Sequence, residues 1–294
     1  MSCVVVIPIY KNVPARVERE SIRQTFRILG KHDIVFVTHK DCQLDEYEKI
    51  VTSEQGVLRT ELFDKGYFDS TAHYSNLCFL ENFYLRFQQY DYMLICQPDA
   101  WVFRDELDYW CQKGYDFIGA PIYFPYSKQK FTRIFYGVGN GGFSLRRISH
   151  CLNIIRADQH RIFLKPGILA KIYWYGFLYN EDYTRNVIKR LGVLPLFIAK
   201  VFGFRNTIAQ FRKTDCEEDA ILSFWAHNAW GLTCRVPGEL EAARFSMEVN
   251  PEYLYNKIGR CLPFGCHAFE KWEYESFWKN HIQFCSATTI APLY

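Results

Sequence analysis

The sequence predicts an α/β protein, a sheet covered by helices on both faces. Three observations carry this. The run "CVVVIPIY" (3–10) is continuous, apolar and β-branched, as expected of a central parallel strand buried on both sides. The run "YMLICQPDA" (92–100) has the same character and ends in a carboxylate. Between them, strand and helix patterns alternate at short intervals, which is the signature of βαβ units.

Taken in order, the first strand is followed by "RVERESIRQTFRILGKH" (16–32), where Val17, Ile22, Phe26 and Leu29 recur at helical spacing and Gly30 is a stop signal. A second strand reads "DIVFVTH" (33–39), then a helix "DEYEKIVTSEQG" (45–56) ending at Gly56, then a short third strand "LRTELFD" (58–64). Residues 70–90 predict one amphipathic helix, capped by Ser70 or Thr71, with Leu77, Leu80, Tyr84 and Phe87 on a shared face. The strand at 92–100 follows. Beyond it, "YDFIGAP" (115–121) reads as a strand and turn, and "YGVGNGGFSLRRIS" (136–149) as a glycine-rich turn entering a strand. "TDCEEDAILSFWAHNAWG" (214–231) predicts a capped helix with acids at its start, and "RFSMEVNP" (244–251) and "LPFGCHAFEKW" (262–272) close the core.

The chain has 294 residues, of which 49% are hydrophobic and 18% aromatic. That is enough for a sizeable core and excludes a disordered chain. Surplus aromatics either fill the core or line a groove for sugars or bases. The net charge of +3 is too small to define a partner, but its distribution is uneven. Residues 161–213 hold ten Lys and Arg against Glu181 and Asp182, interleaved with Trp, Tyr, Phe, Ile and Leu. Such a basic amphipathic stretch suits an anionic membrane surface, or else a helical subdomain with solvated charges. Nucleic-acid binding is not expected, because no known motif accompanies the charge.

The 11 cysteines are scattered without a CxxC, and "MSCVVVIPIYKNVP" lacks the basic start and the apolar length of a signal peptide. Reduced thiols and a cytoplasmic location are therefore expected. No apolar run of spanning length occurs. With no repeat and no Pro- or Ser-rich linker, the expected organisation is one domain over 1–280, a basic helical insertion at 156–213 within it, and a tail at 281–294.

An α/β sheet binds ligands beyond the carboxyl ends of its strands. Pro8, Tyr10 and Lys11 stand at the end of the first strand, and Gln97, Asp99 and Trp101 at the end of the fourth. Asp99 after Pro98 is a common turn former. At that edge the same carboxylate also suits a hard cation such as Mg or Mn, whose remaining sites a substrate diphosphate fills. In "VGNGGFSLRR" the glycines permit close approach of backbone to a ligand, with Asn140 as a hydrogen-bonding side chain beside Gly141 and Gly142; an ordinary tight turn fits too. Neither GxGxxG nor a Walker loop is present. The acids Glu217, Glu218 and Asp219 suit a helix start, and their clustering also suits a general base. His267 is either a structural histidine or a ligand, and its surroundings fit no zinc motif.

In this order "VVVIPIYK", "LICQPDAWVF", "YDFIGAP", "VGNGGFSLR", "EEDAILSF", "ARFSMEVNP" and "PFGCHAFEKW" resemble a bacterial glycosyltransferase-like family of uncharacterised function that occurs in surface-polysaccharide gene clusters. The likeness covers most of 1–155 and 214–279 and omits 156–213. That family looks like the GT-A class of nucleotide-sugar transferases. The resemblance implies a Rossmann-type mixed sheet flanked by helices, with an Asp-x-Asp motif holding a divalent metal on a sugar diphosphate. Here that motif reads Gln97-Pro98-Asp99. By the same resemblance Asp99 and His267 are the metal ligands, and Mn or Mg is the cofactor. Asp219 is the inverting general base, with Glu218 the close alternative. Pro8, Tyr10, Lys11, Lys65, Gln97, Asp99, Asn140, Gly141 and Gly142 bind the donor, with Lys11, Lys65 and Arg146 as available cations. The implied donor is a uridine diphosphate sugar, with galactose the guess. The implied acceptor is a glycan hydroxyl, free or lipid-linked, which would bring the enzyme to the inner face of the membrane. A non-catalytic sugar- or nucleotide-binding module with a degenerate metal site is the alternative.

Overall fold

The computed structural model describes residues 1–124, 133–157, 218–225 and 233–284. The expected insertion therefore lies, but for its first two residues, outside the described residues. So does the tail beyond residue 284.

A six-stranded mixed sheet organises the chain, with strand order β3-β2-β1-β4-β9-β6. Its centre is β1 (Cys3–Pro8), paired in parallel with β2 (Asp33–Thr38) and β4 (Tyr92–Cys96). The short β3 (Thr60–Leu62) extends the parallel part on the far side of β2. On the other side β9 (Phe143–Arg147) runs antiparallel to β4 and to β6 (Phe117–Ile118), which makes the sheet mixed.

All six residues of β1 are buried, because both faces of the strand are covered. Its side chains alternate between two cores, as the period of a strand requires. Val4 and Val6 join α3 (Thr71–Cys78), α4 (Glu81–Leu85) and α6 (Ile148–Ala157), whereas Val5 and Ile7 join α1 (Arg16–Leu29), α2 (Asp45–Ser53) and α5 (Leu107–Gln112). Each such valine or isoleucine contributes roughly 1.5–3 kcal/mol on full burial. The continuous apolar run thus records a strand with helices on both sides.

A three-stranded sheet, ordered β10-β11-β5, lies beyond the end of β4. It is formed by β5 (Ala100–Val102), β10 (Ser246–Met247) and β11 (Gly265–His267). It carries a third core around Trp101, Phe269 and Trp278. A separate hairpin pairs β7 (Ala120–Phe124) with β8 (Ile134–Gly139).

The helix expected over 70–90 is two helices, α3 and α4. Ser70 caps α3, its hydroxyl accepting from the His73 amide at 3.2 Å. Leu80 then adopts an extended backbone (φ −83°, ψ 131°) before α4 begins. The break has a packing cause. Tyr74, Ser75, Leu77, Cys78, Phe79, Phe83, Tyr84 and Phe87 are all buried. At 3.6 residues per turn these positions surround a straight helix, which buries only one stripe. The extended residue resets the phase, so both groups face the sheet. The predicted helix at 214–231 also differs where it is described. An α turn, α7 (Glu218–Ala220), passes directly into a π-helical segment, Ile221–Trp225. Such π segments are rare and recur at functional sites.

All nine described cysteines are free. Among the described residues no helix is long and apolar enough to cross a membrane.

Candidate active site

Strand β4 ends at Cys96, and the chain turns at once through Gln97, Pro98 and Asp99 into β5. The turn is closed by the Ala100 amide donating to the Gln97 carbonyl at 2.9 Å, and anchored by the Gln97 amide donating to the Gly142 carbonyl at 2.7 Å. Helix α1 holds its far side. The Ser21 hydroxyl donates to the Ala100 carbonyl, and the Gln24 amide donates to that of Val102 at 2.9 Å. Asp99 is therefore placed by backbone pairing, with its side chain half exposed.

His267 ends β11, directly opposite Ala100 in the antiparallel register. Its Nε2 lies 3.2 Å from Asp99 Oδ1 and 3.0 Å from Gln97 Oε1. Its Nδ1 lies 3.0 Å from Glu248 Oε2. Glu248 follows β10, and the parallel pairing of Met247 with Cys266 brings it beside His267. The ring fits only because residue 142 is glycine. A Cβ there would lie 2.1 Å from His267 Nε2.

Burial pulls the His267 pKa down, but the charges of Asp99 and Glu248 and their hydrogen bonds outweigh it, so the imidazole titrates well above its ordinary value. Burial likewise pushes Asp99 up, but the His267 charge and hydrogen bond, helped by Lys11, bring it below the usual carboxylate range.

The donor set can hold a divalent cation once His267 gives up the Nε2 proton that it now shares with Asp99 and Gln97. Asp99 supplies a half-exposed carboxylate, Gln97 a carbonyl oxygen and His267 an Nε2. Glu248 on Nδ1 fixes the ring as an outer carboxylate does in metal sites. Oxygen ligands favour Mg or Mn, and an imidazole among them leans toward Mn.

A second group lies one residue away. The Gly141 amide donates to Asp219 Oδ2 at 2.9 Å, and Asp219 is 5% exposed. Asn140 takes the left-handed conformation (φ 60°) that turns the chain between β8 and these glycines. It is buried, and its Nδ2 has no hydrogen-bond partner among the described residues. A Cβ at Gly141 would meet Glu218 Oε1 at 2.9 Å and Asp219 Cβ at 3.2 Å. Gly141 and Gly142 are therefore thin enough to let α7 close on one side and His267 on the other.

Glu218 is engaged through both oxygens. Oε1 pairs with Arg146 Nη2 at 2.8 Å, and Oε2 accepts from the Ser75 hydroxyl at 2.8 Å. Arg146 is fully buried and also reaches Ser144 Oγ at 3.1 Å. It is a buried structural cation, and the expectation that it stands available to a diphosphate is corrected accordingly. At the end of β1, Pro8 is buried. Tyr10 is exposed, with its hydroxyl 3.2 Å from Glu18 Oε1, and Lys11 pairs with the same oxygen at 2.7 Å. Lys65 is exposed in a 3₁₀ turn (Lys65–Phe68) after β3. It shares the sheet edge but stands three strands from β4, about 14 Å at the usual spacing.

Ser75 and Glu248 were not marked in the sequence. The only sequence cue to Glu248 is the register of "SMEV" beside "GCHA", which requires knowing that β10 and β11 are neighbours. Glu217 lies outside the described residues.

Residues 57–267 match the model of the family described as a protein of unknown function, DUF5672, and the chain belongs to that family. No curated protein matches it in sequence. Several solved structures are similar in backbone. Mouse xyloside xylosyltransferase 1, apo form, is 7% identical, with 91% of this chain and 96% of that one covered and a TM-score of 0.45. Core-mannan synthase A from Aspergillus fumigatus, in its Mn/GDP form, is 10% identical, with 75% and 71% covered and a TM-score of 0.39. A glycosyltransferase involved in the glycosylation of the major capsid of PBCV-1 is 8% identical, with 91% and 93% covered and a TM-score of 0.39. All three scores are low, and the roles assigned below rest on the side chains of this chain.

Proposed function

We propose that this protein is an inverting glycosyltransferase that moves a hexose, with galactose the first candidate, from a uridine diphosphate sugar to a hydroxyl of a surface-polysaccharide or lipid-linked glycan. One observation carries the reading. The turn Gly139–Gly142 sets a buried carboxylate, Asp219, next to a carboxylate–imidazole pair, Asp99 and His267, at the carboxyl edge of a mixed α/β sheet. A base beside a site for the cation that neutralises a diphosphate is what glycosyl transfer from a nucleotide sugar requires.

Asp99 and His267, with Gln97 beside them, would hold a divalent cation, Mn or Mg. When bound, that cation neutralises charge on the departing diphosphate. Asp219 takes the acceptor hydroxyl proton. The acceptor oxygen forms its bond to the anomeric carbon from the face opposite the diphosphate, whose bond to that carbon breaks with the electron pair leaving on the phosphate oxygen. Glu218 positions Asp219 through its bonds to Arg146 and Ser75. Tyr10 and Lys11 line the nucleotide side. The basic stretch at 161–213 is assigned to the inner membrane face, where a lipid-linked acceptor resides.

A second reading, a non-catalytic sugar or nucleotide binder, is favoured by one feature. Both ring nitrogens of His267 are already engaged by protein groups, Nε2 by Gln97 and Asp99 and Nδ1 by Glu248. The two readings separate on turnover. The wild-type protein with Mn is expected to release uridine diphosphate from at least one uridine diphosphate hexose when a glycan acceptor is supplied. Donor binding without release from any of a panel of hexoses and acceptors would favour the binder.

A further inference from the structure

At the opposite edge of the sheet, three donors of mixed chemistry converge from three separate segments. Asp116 precedes β6, His150 lies on α6, and Cys234 follows the π-helical segment. A carboxylate oxygen, an imidazole nitrogen and a thiol sulfur from these residues all lie within 4.8 Å of one another. The cluster is remote from Asp99. The Asp116 carbonyl accepts from the Arg147 amide, and Arg147 pairs with Tyr92, the first residue of β4, whereas Asp99 follows its last.

We propose that Asp116, His150 and Cys234 form a zinc-type transition-metal site that clamps the chain after α7 to β6 and α6. The donor set selects the metal class. A thiolate with an imidazole and a carboxylate suits zinc and disfavours the hard cations proposed at Asp99. Bonds of about 2.0–2.3 Å place tetrahedral ligands roughly 3.3–3.8 Å apart, so side-chain rotations closing the cluster by about 1 Å bring the three side chains onto one ion, with water as the fourth ligand.

The surroundings are those of a ligand shell. Asp116 Oδ2 accepts from the Arg235 amide at 2.8 Å, and Oδ1 lies 3.3 Å from Arg147 Nη1, which fixes the carboxylate plane. His150 is 7% exposed, and its Nε2 lies 3.3 Å from the Leu222 carbonyl oxygen, the kind of backbone contact that orients a ligating imidazole. Cys234 Sγ donates to the same carbonyl at 3.8 Å, a bond that the thiol gives up when it loses its proton to bind the metal. Leu222 belongs to the π segment that continues from Glu218 and Asp219. A metal here would tie down the segment that carries the proposed base, yet the site stands on its own residues whether or not that reading of Asp219 holds.

The test uses the full-length, reduced, metal-stripped protein. Cobalt titrated in without oxygen is expected to give a thiolate-to-cobalt absorption band that zinc bleaches. The band should be lost in Cys234→Ser and in His150→Gln, and kept in Asp99→Asn. Should one of the first two variants fail to fold, the other decides. In the wild type, zinc is also expected to slow alkylation of Cys234, read by peptide mass spectrometry, by about tenfold. No cobalt band, a band that survives in a folded Cys234→Ser or His150→Gln variant, or alkylation unaffected by zinc would overturn the proposal.

Discussion

Asp219→Asn is expected to lower the rate of glycosyl transfer by about 10²–10⁴-fold, the usual contribution of a positioned general base. Donor affinity should stay unchanged. The substitution is chosen because it preserves shape. Asp219 Oδ2 accepts the Gly141 amide, and an asparagine Oδ1 can accept the same bond. The turn that seats Gly142 against His267 is then undisturbed, and only the proton acceptor is lost. Calorimetry for the donor and a coupled assay for nucleotide release separate the two effects. Transfer at the wild-type rate would remove Asp219 from the role of base. Loss of donor binding together with rate would show that it supports the site instead of the chemistry.

Arg146→Met is expected to cost about 3–5 kcal/mol of folding stability, the range for breaking a buried ion pair from one side. Arg146 is fully buried, and Glu218 opposite it is 5% exposed. Removing the guanidinium leaves a buried carboxylate with Ser75, at 2.8 Å, as its remaining partner among the described residues. Adding Glu218→Leu to the same protein should recover much of the loss, because an apolar pair replaces a stranded charge. Denaturant unfolding of the two single variants and the double variant closes the cycle. A loss below about 1 kcal/mol, or strictly additive variants, would show that the pair does not hold α7 on the sheet.

These variants bear on two adjacent acids that the sequence could not rank. "CEEDAILSF" shows acids at a helix start, and helix electrostatics favours each of them there. What distinguishes them is long-range. Ser75 and Arg146 are 143 and 72 residues away from Glu218, and they claim its two oxygens. The central strands were legible because burial on both faces leaves an unbroken apolar run, as in β1. The edge they form was legible too, since Pro8 ends one such run and Asp99 comes just after another. Residues 70–90 misled because burial around the whole circumference mimics a long helix until the chain breaks at Leu80. Glu248 was invisible because its neighbour is set by parallel strand register. The pairing of Asp99 with His267, 168 residues apart in sequence, came from family resemblance, and the structure places them 3.2 Å apart. Lys65, which the same resemblance put at the donor, lies on the same sheet edge three strands from β4.

The central claim is that a sugar diphosphate binds at the end of β4 through a cation held by Asp99 and His267. Calorimetric titration of uridine diphosphate into the metal-stripped protein, with and without added Mn, tests it most directly. Binding that requires Mn, and that disappears in Asp99→Asn, is the predicted result. Equal binding with and without Mn, or no binding under either condition, would contradict it.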